Sequence, residues 1–323
     1  MNDKQMNHLR NEFGVRLQEN VQLANYTTIN VGGFADALLI VHNAEELERY
    51  INKLWDMDQH FVILGSGSNV LISDRGIRDV VVINHAHNIK IQSCNKPIYA
   101  RAESGTNMAT LSRQCALRGL SGLEWAVSIP GTVGGAVYGN AGAFGQDVSC
   151  NLLSAEILHP QEGKQNWSKD KFEFGYRSSI HKKMESGVII LSATFQMQPG
   201  DIEQIKAQME AYKSKRLTTQ PIGPSMGSIF RNPEGDKAGR LIEAAGLKGK
   251  TIRDAEVSPQ HANFIMNQGK ANARDILDLI NLIKLSVEEK FNIHLMPEIQ
   301  FLGEWDSSEM KIIDQFSKEK TQS

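Results

Sequence analysis

Apolar positions in this chain follow two different periods. Ala37-Leu38-Leu39-Ile40-Val41 is an unbroken apolar run of strand length, and in the following stretch, 44–58, Leu47, Ile51, Leu54 and Trp55 recur at i, i+4, i+7 and i+8. That spacing is one face of a helix. Phe61–Leu64 and residues 80–83 are again short apolar runs, so strand, helix, strand predicts a small α/β unit after a helical or loosely held lead-in over 1–20. From about residue 85 to 198 the texture changes to short apolar runs separated by glycine-rich turns. A helix resumes at Asp201, with Ile202, Ile205, Met209 and Tyr212 on one face, and ends near Lys215 and Arg216. Segment 218–235 carries Pro221, Pro224 and Pro233 with three glycines and reads as loop. Asn272 with Asp275 three residues on predicts a capped helix start, and Ile276, Leu279, Ile280, Ile283 and Val287 predict its buried stripe. Residues 296–302 read as a final strand, and the polar stretch after Trp305 as a frayed tail.

Length and charge narrow the functional classes. At 323 residues the chain is long enough for more than one packed unit, and 41% hydrophobic with 22% charged residues is ordinary globular composition. A net charge of −2 supplies no basic field for nucleic acid or an anionic membrane. Any phosphate must therefore be held locally, by backbone amides and a few placed cations. Cys94, Cys115 and Cys150 are sparse, odd in number and match no metal spacing, which fits a reducing compartment. The polar first residues are unlike a signal peptide, and no apolar run approaches the roughly 20 residues of a bilayer span. A cytoplasmic protein with no metal site, no membrane partner and no nucleic-acid partner is expected.

Two glycine-rich segments carry the candidate chemistry. Gly65-Ser66-Gly67-Ser68-Asn69 directly follows a predicted strand. Glycines let backbone amides close around an anion, and serine and asparagine add donors. The spacing is neither the dinucleotide fingerprint nor a P-loop, and a tight turn explains it equally well. The second segment runs Ser128-Ile129-Pro130-Gly131-Thr132-Val133-Gly134-Gly135-Ala136-Val137-Tyr138-Gly139-Asn140-Ala141-Gly142. So many glycines allow main chain to pass close to a large flat or phosphorylated ligand; the alternative is a helix packed tightly on a sheet. Two such segments in one chain point to a dinucleotide cofactor outside a Rossmann unit. Neither 61–72 nor 128–146 contains His or Cys, so attachment at these loops would be non-covalent.

These two segments resemble the flavin-binding signatures of the UDP-N-acetylenolpyruvoylglucosamine reductase (MurB) family. Further motifs of that family have counterparts in the same order: Thr27-Thr28-Ile29 with Gly32-Gly33, Tyr176-Arg177-Ser178-Ser179, Gly227-Ser228-Ile229-Phe230-Arg231-Asn232-Pro233, the stretch 238–249, His261-Ala262-Asn263-Phe264-Ile265 and Pro297-Glu298-Ile299. The resemblance spans about residues 20–303 and implies an α+β chain: an FAD-binding fold of the vanillyl-alcohol-oxidase/PCMH type with a C-terminal α/β substrate domain. It implies an N-terminal FAD-binding subdomain over 1–85, a second over 86–200, a substrate-binding domain over 201–303 and a polar tail over 304–323. Only 38 residues separate Arg177 from Arg216, which resembles the shorter of the family's two types, without the tyrosine-bearing loop.

What the resemblance implies for chemistry is specific. The activity would be NADPH- and FAD-dependent reduction of UDP-N-acetylenolpyruvoylglucosamine to UDP-N-acetylmuramate in bacterial wall synthesis. Gly65, Ser66, Gly67, Ser68, Asn69, Ser128, Ile129, Pro130, Gly131, Thr132, Gly134, Gly135, Asn140 and Gly142 would hold non-covalent FAD. Arg177 would pair with the substrate carboxylate, Ser228 would deliver a proton, and Glu298 would complete the site, the three converging on the flavin ring. Arg216 and Asn232 would contact the nucleotide-sugar. Read without the resemblance, Arg177 fits a surface turn, Ser228 a turn after Gly227, Glu298 an exposed strand carboxylate and Arg216 a favourable helix C-terminus. His261 reads as a packing or turn histidine. A monomer is expected. An oxidase on the same fold has no need of a proton donor such as Ser228, and a bare nucleotide-sugar binding module has no need of two glycine-rich segments.

Overall fold

The computed structural model describes residues 1–94, 96–183 and 187–318, which divide into two compact units. One comprises Met1–Leu38, Gly67–Val81 and Thr219–Ser323, the other Leu39–Ser66 and Val82–Thr218.

In the first unit, strand Gln18–Gln22 pairs antiparallel with Phe34–Val41, Gln18 opposite Leu38 and Gln22 opposite Phe34. A short antiparallel sheet of Thr251–Ile252, Ala255–Val257 and Ile265–Asn267 lies against helix Ala273–Phe291. That helix begins as the sequence predicts: Asn272 accepts the N–H of Asp275, and the Asp275 side chain returns to the Asn272 N–H. Asp74 takes two further free amides of the first turn, from Ala273 at 2.8 Å and Arg274 at 3.1 Å. Ile276, Leu279, Ile280, Ile283 and Val287 are all buried, in one core with Leu241, Ile242, Phe230 and Ile265.

Two expectations for this unit are corrected. Residues 296–302 do not form one strand: only Gln300–Leu302 does, pairing parallel with Val70–Ile72, so Glu298 lies in the approach to the strand. Pro297 interrupts it, since proline has no N–H to give a ladder. The stretch after Trp305 is not frayed as far as the structure describes it. Ser307–Lys318 is a helix whose Phe316 is 4% exposed in the core, because Ile312, Ile313 and Phe316 recur at helical spacing among charged neighbours.

The second unit is built on an antiparallel sheet in the order Gly163–Ser168, Leu152–His159, Ile189–Gln196, Tyr99–Glu103, Ile89–Gln92. Helices Ala44–Asp56 and Val133–Gly139 pack on its central strand. Leu47, Ile51 and Leu54 are buried as their spacing predicts, and Asn43 caps the helix by accepting the Glu46 N–H. Trp125, Phe172 and Phe195 are the largest fully buried side chains of this core. The glycine-rich stretch 128–146 is therefore not loop throughout. Its middle is helix, capped by the Thr132 hydroxyl on the Gly135 N–H and ended by Asn140 in the left-handed region at φ 46°.

Candidate functional site

In the second unit the two glycine-rich segments meet. Gly65 leaves strand Phe61–Leu64, and a Cβ placed on it would stand 2.5 Å from Thr132 Oγ1 and 2.8 Å from its Cγ2. Only glycine lets the first segment run so close to the start of the second. Gly134 is similarly pressed, its hypothetical Cβ 2.9 Å from the Ser104 Cβ, while its N–H donates to the Ser104 carbonyl at 2.7 Å. The N–H of Val133 donates to the Thr106 carbonyl at 2.8 Å and that of Met108 to Gly131 at 3.1 Å. Gly139 is different: a Cβ there would meet nothing within 4 Å, so its role is not internal packing.

Beside this framework the hydroxyl oxygens of Ser128 and Thr106 are buried with no hydrogen-bond partner among the described residues. Buried hydroxyls are rarely left unpaired unless a ligand or water completes them. Two unpaired hydroxyls beside converging glycine segments fit a cofactor rich in phosphate and hydroxyl oxygens, as FAD is. Gly65, Ser66, Ser128, Ile129, Pro130, Gly131, Thr132, Gly134, Gly135, Asn140 and Gly142 belong to this unit, whereas Gly67, Ser68 and Asn69 belong to the other.

Arg177 is fastened to the end of the glycine run. Gly175 and Ser178 exchange both backbone hydrogen bonds, at 3.0 and 3.1 Å, which puts Tyr176 and Arg177 at the corner of a tight turn. Arg177 has φ +54°, a left-handed conformation uncommon for a residue with a side chain. Three side-chain bonds hold it there. Arg177 Nη2 donates to the Gly142 carbonyl at 2.8 Å, Asn140 Nδ2 to the Gly175 carbonyl at 3.0 Å, and the buried Ser179 hydroxyl to the Tyr138 carbonyl at 2.7 Å. A constrained backbone around one guanidinium is the arrangement expected where the group must be placed rather than merely exposed. Arg216, in the last turn of helix Ile202–Thr219, has no carboxylate partner among the described residues, and burial pushes its guanidinium below its ordinary pKa. A desolvated cation of this kind is relieved by an anion.

In the first unit, Ser228 and Glu298 are neighbours through the main chain. The Glu298 N–H donates to the carbonyl of Ile229 at 2.8 Å, the Arg231 N–H to that of Met296 at 2.9 Å, and Phe230 bridges Pro297. Gly227, at φ +72°, makes the turn that presents Ser228. Asn263 secures the other side of this segment: its side chain accepts the Phe230 N–H at 2.9 Å and donates to the Phe230 carbonyl at 2.8 Å. Asn69, in this same unit, reaches the same place: its Nδ2 donates to the Glu298 carbonyl at 3.2 Å.

Ser228 and Asn232 line a cleft of about 330 Å³ together with Lys237, Arg240, Lys248 and His261. Asn232 Oδ1 takes the Ala238 N–H at 3.1 Å. Arg240 is paired with Asp236, whose carboxyl this contact holds down to about 2, and Lys248 with Glu243 at 2.8 Å. The His261 Nδ1 accepts the Asn263 N–H at 3.3 Å, and burial keeps the ring's pKa below its usual value. A neutral ring with Nδ1 so engaged carries its proton on Nε2. The family motifs imply a role for Ser228 and Asn232 but none for these cations, whose common signal in the sequence is the recurrence of Lys and Arg around the glycine-flanked helix Ala238–Ala244. Among the described residues no cluster suited to a metal ion is present, and no helix is long and apolar enough to cross a membrane.

Comparison with known proteins decides the family. Residues 218–302 match the family described as UDP-N-acetylenolpyruvoylglucosamine reductase, C-terminal domain, and residues 35–167 match the FAD binding domain family. UDP-N-acetylenolpyruvoylglucosamine reductase from Clostridium novyi is 42% identical over 89% of this chain and 92% of its own length. The Bacillus subtilis enzyme is 39% identical over 93% and 99%. The chain belongs to the UDP-N-acetylenolpyruvoylglucosamine reductase family. A crystal structure of the family's enzyme from Thermus caldophilus, 34% identical, superposes with a TM-score of 0.74 over 88% of this chain and 98% of that one. The fold is thus the FAD-binding fold expected from the motifs, with the family's C-terminal domain. Both glycine-rich segments fall inside the FAD-binding match, and Ser228, Asn232 and Glu298 inside the C-terminal match; Arg177 and Arg216 lie between the two.

Proposed function

We propose that Arg177, Ser228 and Glu298 carry the reduction of UDP-N-acetylenolpyruvoylglucosamine to UDP-N-acetylmuramate in this chain. The chain is an FAD-dependent oxidoreductase of this family, serving peptidoglycan precursor synthesis. FAD, when bound, supplies hydride transfer from NADPH to the enolpyruvyl methylene carbon. The buried, unpartnered hydroxyls of Ser128 and Thr106 would provide polar partners for it, on a framework that Gly65 and Gly134 let close up.

The charge that develops next to the substrate carboxylate must be met by a placed cation, and Arg177 is the residue with a constrained backbone to do so. Ser228 gives its proton to the carbon that bears the carboxylate, adjacent to the methylene carbon that takes the hydride. An alcohol is a weak acid, but a carbanionic centre is a far stronger base, so the transfer runs downhill. Glu298, beside Ser228, acts as the electrostatic partner of the site. Asn232 and Lys237, in a cleft that Arg240, Lys248 and Glu243 also line, suit the diphosphate of the nucleotide-sugar; Arg216 is assigned to the same ligand on its desolvated charge.

The observation that carries this reading is the main-chain link between the Ser228 turn and Glu298, 2.8 Å from the Glu298 N–H to the Ile229 carbonyl. The reading extends to a cytoplasmic enzyme acting as a monomer, with 1–85 and 86–200 serving FAD and 201–303 serving substrate. Steady-state assay tests the activity: NADPH consumption should require the enolpyruvyl nucleotide-sugar, and the product should gain two hydrogens by mass. NADPH consumption indifferent to that substrate would contradict it.

A further inference from the structure

The helix Ser307–Lys318 lies beyond the segment that matches the family's C-terminal domain, yet it is fastened to that domain with care. Phe316 stacks on Phe301, ring centroids 5.8 Å apart and planes within 8°. Trp305 meets the same Phe301 edge-on at 6.2 Å, and Lys284 of the long helix sits over the Phe316 ring at 5.5 Å. Arg274 Nη1 donates to the Ser308 hydroxyl at 2.8 Å, and Glu309 accepts the Asp306 N–H at 2.8 Å at the helix start.

Phe301 is the middle residue of strand Gln300–Leu302, three residues after Glu298. That strand is short and is paired on one side only with Val70–Ile72. Its other constraints are the Gln300 N–H to the Asn69 carbonyl at 3.0 Å and the Ser73 N–H to the Leu302 carbonyl at 2.9 Å. Three residues on one partner make a weak register by themselves. The Glu298 N–H to the Ile229 carbonyl at 2.8 Å and Asn69 Nδ2 to the Glu298 carbonyl at 3.2 Å hold the residues before it. The aromatic stack adds a side-chain hold on the strand itself, and a one-residue slip would turn Phe301 away from Phe316 and displace Glu298.

We infer that the helix Ser307–Lys318 positions the reductive site, and that Phe316, through Phe301, holds the segment bearing Glu298 in register. Phe316 is a positioning residue and touches no substrate. The inference rests on the role given to Glu298 above.

The test is a double-mutant cycle between Phe316→Ala and Glu298→Gln in the FAD-loaded full chain, with amide hydrogen exchange of peptide 296–302 measured alongside. Phe316→Ala should slow the recovery of flavin colour on adding substrate about ten-fold while bleaching by NADPH stays within about two-fold. It should also speed exchange of the Glu298 and Gln300 amides. In the Glu298→Gln background the same substitution should change recovery by less than about two-fold. Should alanine prevent folding, Phe316→Leu keeps more of the buried volume without the stack and should give about a three-fold loss with the same pattern. Additive effects in the two backgrounds, equal loss of both half-reactions, or unchanged exchange would each overturn the positioning role. Glu298→Gln with unimpaired recovery would instead overturn the role of Glu298, and this inference with it.

Discussion

The side-chain amide of Asn69 donates to the carbonyl of Glu298 at 3.2 Å, across 229 residues of sequence, while the Asn69 carbonyl receives the Gln300 N–H at 3.0 Å. The end of the first glycine-rich segment is thereby tied to the residue proposed as the carboxylate of the site. Asn69→Ala removes one of these bonds and leaves the backbone one. It should lower stability by about 1 kcal/mol and reduce turnover more than that loss of stability explains. Chemical denaturation and steady-state kinetics on the same preparation separate the two.

Gly65 tests the meeting of the glycine segments. A methyl group there must push Thr132 aside, because its Cβ would stand 2.5 Å from Thr132 Oγ1. The obstacle is a side chain rather than backbone, so Gly65→Ala should still fold. Its affinity for FAD should fall about ten-fold, roughly 1.4 kcal/mol, as the cap on helix Val133–Gly139 shifts. Flavin fluorescence titration of the apoprotein reads this directly.

His181 makes acid stability measurable. Burial holds its pKa below the ordinary 6.5, its Nδ1 has no partner among the described residues, and it meets Tyr138 edge-on at 5.1 Å. Below about pH 6.5 the unfolded chain takes up the proton more readily than the folded one, so this contribution is present above that pH and is lost as pH falls. Melting temperature should drop between about pH 7 and pH 5, and His181→Phe should flatten the drop. An unchanged pH slope in the variant would assign the acid sensitivity elsewhere, His261 being the next buried imidazole.

Thiol titration checks the core. Burial pushes the Cys115 thiol up to about 12, whereas Cys94 and Cys150 are exposed. A disulfide reagent near neutral pH should modify Cys94 and Cys150 in the native protein and Cys115 only after unfolding. Rapid native labelling of Cys115 would contradict the packing of helix Met108–Ala116.

Much of the architecture is written in local patterns. The helix after Asn272 is readable because its cap and its stripe lie within a few residues of one another. Glu298 is less readable, since the short strand after it is defined by Val70–Ile72, far away in sequence, and no local period marks three residues. The helix Ser307–Lys318 hides behind its charges; its apolar residues gain meaning only against Phe301 and the long helix. Of the residues proposed for the chemistry, Arg177 and Ser228 stand out in the sequence only through the motifs they share with the family. What the sequence does not display is how Arg177 is held, because the turn donates to the Gly142 carbonyl and receives the Asn140 side-chain amide on the Gly175 carbonyl, each bond spanning 35 residues. The cations Lys237, Arg240 and Lys248 become a group only when the fold places them around one cleft.

The proton-donor assignment of Ser228 is the centre of the account, and the visible spectrum of the FAD-loaded protein tests it most directly. NADPH should bleach the flavin band in the native protein and in Ser228→Ala at rates within about two-fold. Substrate should then restore the colour in the native protein, and at least about a thousand-fold more slowly in the variant. Recovery in Ser228→Ala at the native rate, or a native preparation that neither carries nor takes up FAD, would contradict the account.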